Sequence, residues 1–500
     1  MKTDQTEVDK MAFDLKSYDV ATREERLGSV TGYCGDLNDL VTRSRCGALK
    51  NRERCFSQSS SCASGCALGQ LLMIRDVAVI YHAPAGCSNV GSGTEVLAGQ
   101  IASRINVSYN SVVVGTDMNE NDTIFGALNS VRSIVKNTYE QYHPKAIFIS
   151  SSCVSGVIGE DVDSIAPELQ DELGIPVIAV HCEGFKSRIW ASGFDIADHA
   201  VLKGIVKPPK EKRNVINFKN FFESHRPQIT ELFAEFGVKP QFLYSNSTVE
   251  ELEHLSESLA TVCVCGTLGT YLGNGLEEKY GVPYIRTINP MGVIGFETWL
   301  REIGNVIGKS DEVEKYIEKQ RSIYIPQIEE EKKALKGLRA VIGMGPGYTY
   351  EIARVLQELD MEVVWALAWH YDYKYDNGDV PPALDHLLEN SPTNIKLSVA
   401  DQQNYEVLNV LNRYKPDVYF SRHPGSTVWA VKQGYSAVYV ADEYMAFGYK
   451  GTLRLIKAIK DAITNRSFEK NLAKRCKLPY TDWWYQQEVD TFLKEEKRNG

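Results

Sequence analysis

Apolar and polar positions along the chain alternate in blocks: a short continuous apolar run, a turn of small or polar residues, then a segment with helical periodicity. Strand candidates at 77–81, 146–149, 176–180, 241–244 and 261–264 form one series, and those at 340–342, 363–367, 395–398, 418–420 and 437–440 a second. Runs that are apolar at successive positions, and bounded by turns, predict strands covered on both faces, as in parallel sheets. Between them, apolar residues recur at helical spacing over 124–137, 162–173, 250–259, 268–280, 350–359 and 453–463. Strand, turn and helix in repetition predict an α/β chain of three Rossmann-like domains with mostly parallel sheets.

The pattern also divides the chain. Residues 1–55 are charged and weakly periodic, which predicts an arm or a loosely helical wrap. Three α/β domains are expected over 56–210, 211–310 and 337–465, with the charged stretch 311–336 as a helix linking the last two. The tail 466–500 carries Trp483, Trp484 and Tyr485, adjacent aromatics that predict packing onto the chain's own surface or a neighbouring subunit. The turn Gly343-Met344-Gly345-Pro346-Gly347 sits between a strand and a helix. It is read either as an anion site at a helix start or as a tight connection without a ligand. It lacks the third glycine of a dinucleotide fingerprint, and no Walker A loop occurs, so nucleotide hydrolysis by this chain is not expected.

Composition narrows the partners. The chain has 500 residues, 43% of them hydrophobic, enough for several cores. Lys and Arg number 55 against 65 Asp and Glu, a net charge of -10, which gives no sign of a nucleic-acid partner. No apolar run is long enough to cross a bilayer, and the polar start Met1-Lys2-Thr3-Asp4-Gln5 lacks a signal core, so no membrane partner and a cytoplasmic location are expected.

In such a reducing compartment the 11 cysteines argue for thiolate ligands or buried thiols over disulfides. Cys87 and Cys153 each lie just past an apolar run, where thiolates reach the carboxyl edge of a sheet, and Cys62 opens the segment in Ser61-Cys62-Ala63-Ser64-Gly65. Zinc ribbons take their ligands in close pairs. Thiolates delivered singly from separate turns suit an iron-sulfur cluster of some size.

The surroundings of these cysteines resemble the catalytic component of the nitrogenase family. The matching residues are Arg75-Asp76, His82-Ala83-Pro84-Ala85-Gly86-Cys87, Thr116-Asp117 with Asp122 and Phe125-Gly126, and Cys153 followed by Gly156-Val157-Ile158-Gly159-Glu160-Asp161-Val162. The segments run in the family's order from about Cys55 to Ile463. The resemblance implies that Cys62, Cys87 and Cys153 hold half of a P-cluster-type [8Fe-7S] cluster shared with a homologous β chain, with metal clusters at domain and subunit interfaces. Cys265 precedes a helix ending Leu276-Glu277-Glu278-Lys279-Tyr280-Gly281-Val282-Pro283. It matches the α-chain cysteine that ligates one tip of a second, nitrogenase-cofactor-like iron-sulfur cluster of uncertain heterometal. The start of a helix favours a thiolate there. Cys263, of opposite strand parity, reads as a core thiol.

Two departures are as informative. Glu183-Gly184-Phe185 is followed by Trp190 and Phe194 where nitrogenase α chains place a histidine facing the cofactor. The stretch from Val440 to Gly451 holds no imidazole where those chains carry the second cofactor ligand. His423 and His370, each past a strand end, are the candidates to close the site. Arg422 and Arg286 are candidates to neutralise an organic acid or the cluster, and Asp442 and Glu443 are candidate oxygen donors.

The resemblance therefore implies the α subunit of an α2β2 nitrogenase-like reductase. A separate ATP-dependent [4Fe-4S] reductase homodimer would dock transiently and supply electrons through the three-cysteine site to the cluster fixed by Cys265. Loss of both imidazole positions points from dinitrogen towards another small-molecule substrate, first a methylthio-alkane cleaved reductively at carbon-sulfur. Nitrogenase proper, a cofactor-assembly scaffold and a tetrapyrrole reductase are the rival expectations.

Overall fold

The computed structural model describes residues 14–58, 62–88, 92–221, 223–374, 379–401, 403–441 and 444–494. Its first strand, β1 (Gly32–Asp36), belongs to the last sheet. β2 (Val77–His82), β3 (Val112–Gly115), β4 (Ala146–Ser151) and β5 (Val177–Val180) form a four-stranded parallel sheet in the order β3-β2-β4-β5. β6 (Val215–Lys219), β7 (Lys239–Leu243) and β8 (Ala260–Cys263) form a three-stranded parallel sheet with β6 central. β9 (Arg339–Met344), β10 (Glu362–Ala368), β11 (Lys396–Ala400), β12 (Val418–Ser421) and β13 (Ser436–Tyr439) complete the third sheet, ordered β1-β11-β10-β9-β12-β13. All of its strands are parallel except β1, which runs against β11 with Gly32 opposite Ala400. The expected α/β architecture with mostly parallel sheets is what the chain adopts.

β2 and β4 are buried end to end. Helices cover both faces of their sheet: Val131, Val135, Ile165 and Leu169 pack on one side, and Leu68, Leu71, Val201 and Leu272 on the other. The second and third sheets share one core, in which Trp299, Phe296 and Phe447 meet Phe218 and Met344. The charged stretch after the second sheet forms the helix Ser310–Glu331. Trp484 of the tail is buried and stacks on Phe492 at 5.0 Å, whereas Trp483 faces outward. Among the described residues, no helix is long and apolar enough to cross a membrane.

Three strands depart from the expected pattern, each for a physical reason. β6 contains Asn217 and Lys219, both fully buried: Asn217 donates to the Leu255 carbonyl at 3.1 Å, and Lys219 Nζ pairs with Asp198 at 2.6 Å. Satisfied polar groups let a strand be buried without an apolar run. β1 carries Gly32, where a Cβ would sit 1.9 Å from the Arg52 carbonyl, so the former arm contributes an edge strand by close backbone approach. β3 is simply short. The single helix expected over 124–137 is two helices, Glu120–Phe125 and Leu128–Tyr142, because Gly126 takes φ +82° between them, outside the helical region.

Register positions the functional residues. His82 is opposite Ser151, so β2 and β4 end side by side and their turns leave from one edge. Ala368 lies opposite both Met344 and Val399, and Ser421 opposite Gly343, which aligns the ends of β9, β10, β11 and β12 in the same way.

Candidate functional site

Cys87 lies in the short helix Ala85–Ser88 after β2, and Cys153 begins the helix Cys153–Ile158 after β4. That second helix is started by Ser152, whose amide donates to Ser155 Oγ at 2.7 Å. Cys62 is the N-cap residue of Ala63–Leu71. All three thiols are exposed, although unpaired cysteine is among the most buried residue types. A Cβ built on Gly184 would lie 2.7 Å from Cys62 Sγ and 3.5 Å from Cys153 Sγ, so these two sulfurs flank one glycine. The Tyr81 hydroxyl marks Cys87 as a neighbour: burial, then the Cys182, Cys87 and Cys62 thiols, raise its pKa.

The loop bearing Gly184 is tied down electrostatically. Glu183 accepts from Ser151 Oγ at 2.8 Å and pairs with Lys186 at 3.0 Å and His181 at 3.3 Å. Burial opposes ionisation of both partners, yet the mutual hydrogen bonds, with Asp163 and Lys186, outweigh it. Glu183 falls to about 2 and His181 rises to about 9. Around this rim the surface is apolar: Phe125 is 83%, Val157 75%, Ile124 71% and Phe185 57% exposed. Soft thiol donors on an apolar rim fit a shared iron-sulfur body. Among the described residues no group of three or more His, Cys, Asp or Glu is gathered tightly enough for a single metal ion.

Cys265 is different. It caps the helix Gly266–Tyr280 after β8 and is 1% exposed. A Cβ on Gly347 would meet its Sγ at 2.8 Å, which gives the glycine turn after β9 a purpose other than anion binding. Burial pushes the Cys265 thiol up, while the Tyr348 hydroxyl, Arg422, the Leu268 amide and Arg23 oppose it. The expected lowering at a helix start is thus outweighed, and a metal would be needed to hold the thiolate. Arg422 stacks on the Tyr348 ring at 4.1 Å. His423 meets Trp369 edge-on at 4.8 Å, and burial followed by Arg422 lowers it to about 4, so it is neutral at pH 7.

Beside them, His370 is fully buried, with Nε2 3.6 Å from Asp372 Oδ2 and neither ring nitrogen hydrogen-bonded. Trp190 packs edge-on against His370 at 5.6 Å and against Phe194 at 6.0 Å. Thus Cys265, Trp369, His370, Arg422 and His423 leave strand ends of the second and third sheets, while Trp190 and Phe194 follow β5 of the first. Ligands bind at such carboxyl edges in open α/β sheets. Unpartnered buried atoms there, His370 Nδ1 and Trp369 Nε1, fit a bound group that supplies its own polar atoms.

Arg286 is occupied elsewhere, held by Glu277 at 2.6 Å. Asp442 and Glu443 lie outside the described residues. Cys263 is buried, as its parity suggests. Sequence reasoning missed three members. Arg23, from the supposed arm, is fully buried and reaches Asp195 at 2.9 Å, Asp372 at 3.2 Å and the Thr267 carbonyl at 2.8 Å. Tyr348 and Asp401 each follow a strand of the third sheet, and that position was the available signal.

Known proteins share this chain's sequence pattern and fold. Residues 62–464 match the family described as nitrogenase component 1 type oxidoreductase. The nitrogenase iron-molybdenum cofactor biosynthesis protein NifE of Methanococcus maripaludis is 28% identical over 90% of this chain and 91% of its own. The nitrogenase molybdenum-iron protein alpha chain of the same organism is 25% identical over 69% and 73%. A solved structure of nitrogenase Cp1 at pH 6.5 superposes with a TM-score of 0.68 at 20% identity, covering 86% of this chain and 93% of that one, a likeness of fold.

Proposed function

The chain belongs to the nitrogenase component 1 type oxidoreductase family, and from that premise we propose that it is the catalytic α-type subunit of an ATP-dependent multi-electron reductase cleaving methylthio-alkanes at carbon-sulfur. Cys62, Cys87 and Cys153 would hold one half of a P-cluster-type [8Fe-7S] cluster completed by a homologous β chain in an α2β2 assembly. The exposed thiols and the apolar rim around them support a partner there. A [4Fe-4S] reductase homodimer would deliver the electrons. Cys265 would hold the inner iron-sulfur cluster, which supplies reducing electrons when bound. Arg422 and Tyr348 compensate the thiolate's charge, neutral His423 offers a hydrogen bond, and the His370 ring faces the same site.

The observation that carries the substrate is the aromatic wall. Trp190, edge-on to both Phe194 and His370, presents apolar surface where a nitrogenase α chain has polar side chains. Alkyl groups of a thioether gain about 0.8 kcal/mol per buried CH₂ on such a wall, and the wall excludes water from the reacting centre. The purified complex, with its reductase and ATP, should release a thiol and a hydrocarbon from methylthio-alkanes. Release of neither overturns the substrate.

A second reading has its own support: the NifE relative spans nine-tenths of the chain. As a scaffold the chain would hold a cluster precursor at Cys265 and pass it on. Transfer of iron-sulfur cargo to an apo-acceptor without thioether turnover would establish that role; turnover without transfer would exclude it.

A further inference from the structure

Asp401 directly follows β11 and is 6% exposed. Its Oδ1 is buried and makes no hydrogen bond, a condition it shares with His370 Nδ1 and Trp369 Nε1 on the adjoining end of β10. Buried polar atoms without partners cost free energy unless something else pairs with them. Several of them on adjacent strand ends, beside Trp190, mark the place where a substrate's polar atom sits.

We propose that Asp401 is a catalytic residue of this site, the general acid that protonates the substrate as it is reduced. The inference rests on the reductase reading above and names a residue that reading leaves unassigned. With dimethyl sulfide the balance is simple. One carbon-sulfur bond breaks, two electrons enter from a low-potential iron-sulfur donor, and two protons are taken up, giving methane and methanethiol. Asp401 gives the proton that ends on sulfur, then regains one from water.

The surroundings suit the role. Burial pushes the Asp401 carboxyl up to about 6, against the opposing influence of His370, Arg54 and the Trp190 indole. A carboxyl with that value stays partly protonated near neutral pH, where a general acid is effective. The groups that face it are His370 after β10, Trp190 after β5, Arg54 from the segment following β1, and the Cys66 thiol of the helix Ala63–Leu71. Arg54 is itself neutralised by Glu406 at 2.7 Å, so its pull on Asp401 is reduced.

Asp401→Asn preserves size and removes the proton. In the iron-loaded complex, kcat for dimethyl sulfide should fall about 10²–10⁴-fold, with KM, iron content and melting temperature unchanged and partial rescue by Asp401→Glu. Wild-type kcat should decline as pH rises through the Asp401 pKa, and that limb should vanish in the Asn variant. Trp190→Phe removes an N–H that favours the carboxylate, so it should move the limb to higher pH. Infrared difference spectra between acid and alkaline pH provide a readout without turnover: a protonated-carboxyl band present in wild type and absent from Asp401→Asn. Full rate with an unchanged pH profile in the Asn variant, or an identical band in both proteins, overturns the proposal. The band in a wild-type complex that cleaves no thioether upholds Asp401 as a buried acid and counts against the substrate alone.

Discussion

Four cysteines stand at the carboxyl edges of sheets, and they stand in opposite environments. Cys62, Cys87 and Cys153 are exposed on an apolar rim, while Cys265 is sealed beneath Gly347 and Tyr348. An exposed donor in an apolar setting suits the interface proposed for it, where a partner can complete the grip. A buried donor with burial-raised pKa is the end of a path, reached only by a body that the fold closes around. The rim is also built locally, by turns and caps within one sheet. The inner station is assembled from three sheets, with Arg23 bound to residues in three separate segments.

The largest expected effect separates the two stations by substitution. Cys153→Ala should strip the iron shared at the rim and weaken association with the β-type partner. The isolated chain should keep its stability to within about 0.5 kcal/mol, since changes at exposed positions away from structural features seldom cost more. Cys265→Ala should leave the partner complex intact and remove only the inner iron. Iron quantitation with size-exclusion chromatography on both variants checks this. Equal iron loss in both, or a stable complex retaining all its iron in the first, would merge the two stations.

Arg23→Ala comes next. Removing the guanidinium leaves Asp195 and Asp372 buried without their counter-charge, and breaking a buried pair from one side costs about 3–5 kcal/mol. Because Arg23 also binds the carbonyl of Thr267, two residues past Cys265, the damage should fall on the inner station. Chemical denaturation should show the loss, and inner iron should fall while rim iron remains. Loss of rim iron to the same extent would mean that Arg23 supports the whole chain and not one site.

Legibility followed the same division. The rim is readable because its chemistry is local: an apolar run, a small-residue turn and a cysteine occur together in sequence, and β2 and β4 carry Cys87 and Cys153 to one edge as that pattern predicts. At the inner station the readable residues lie just past a strand end, as Cys265, His370 and His423 do, or come from the family resemblance, as Trp190 and Phe194 do. Arg23 cannot be read, because its partners lie 172 and 349 residues away and no periodicity surrounds it. Asp401 follows a readable strand, but only the fold shows that it is buried and unpaired. β6 is hidden for a related reason, since Asn217 and Lys219 are satisfied by groups outside their own segment.

The smallest expected effects come from the two glycines, which test whether each station needs its own clearance. A methyl group at Gly184 would lie 2.7 Å from Cys62 Sγ, and one at Gly347 would lie 2.8 Å from Cys265 Sγ. Cysteine is short, so the sulfur cannot swing away as the end of a long side chain would, and the overpacking should cost about 1–3 kcal/mol. At the rim, part of that strain can escape into solvent, because Cys62 is exposed. In the interior it cannot, because Gly347 also faces Thr267 Oγ1 at 3.0 Å. Gly347→Ala should therefore lower the melting temperature more than Gly184→Ala. Each should reduce iron at its own station and spare the other, as read by metal content on the background in which the other station's cysteine is replaced by Ala. A Gly184→Ala chain more destabilised than Gly347→Ala would show that the rim is packed as tightly as the interior and that the contrast between the stations lies in exposure alone.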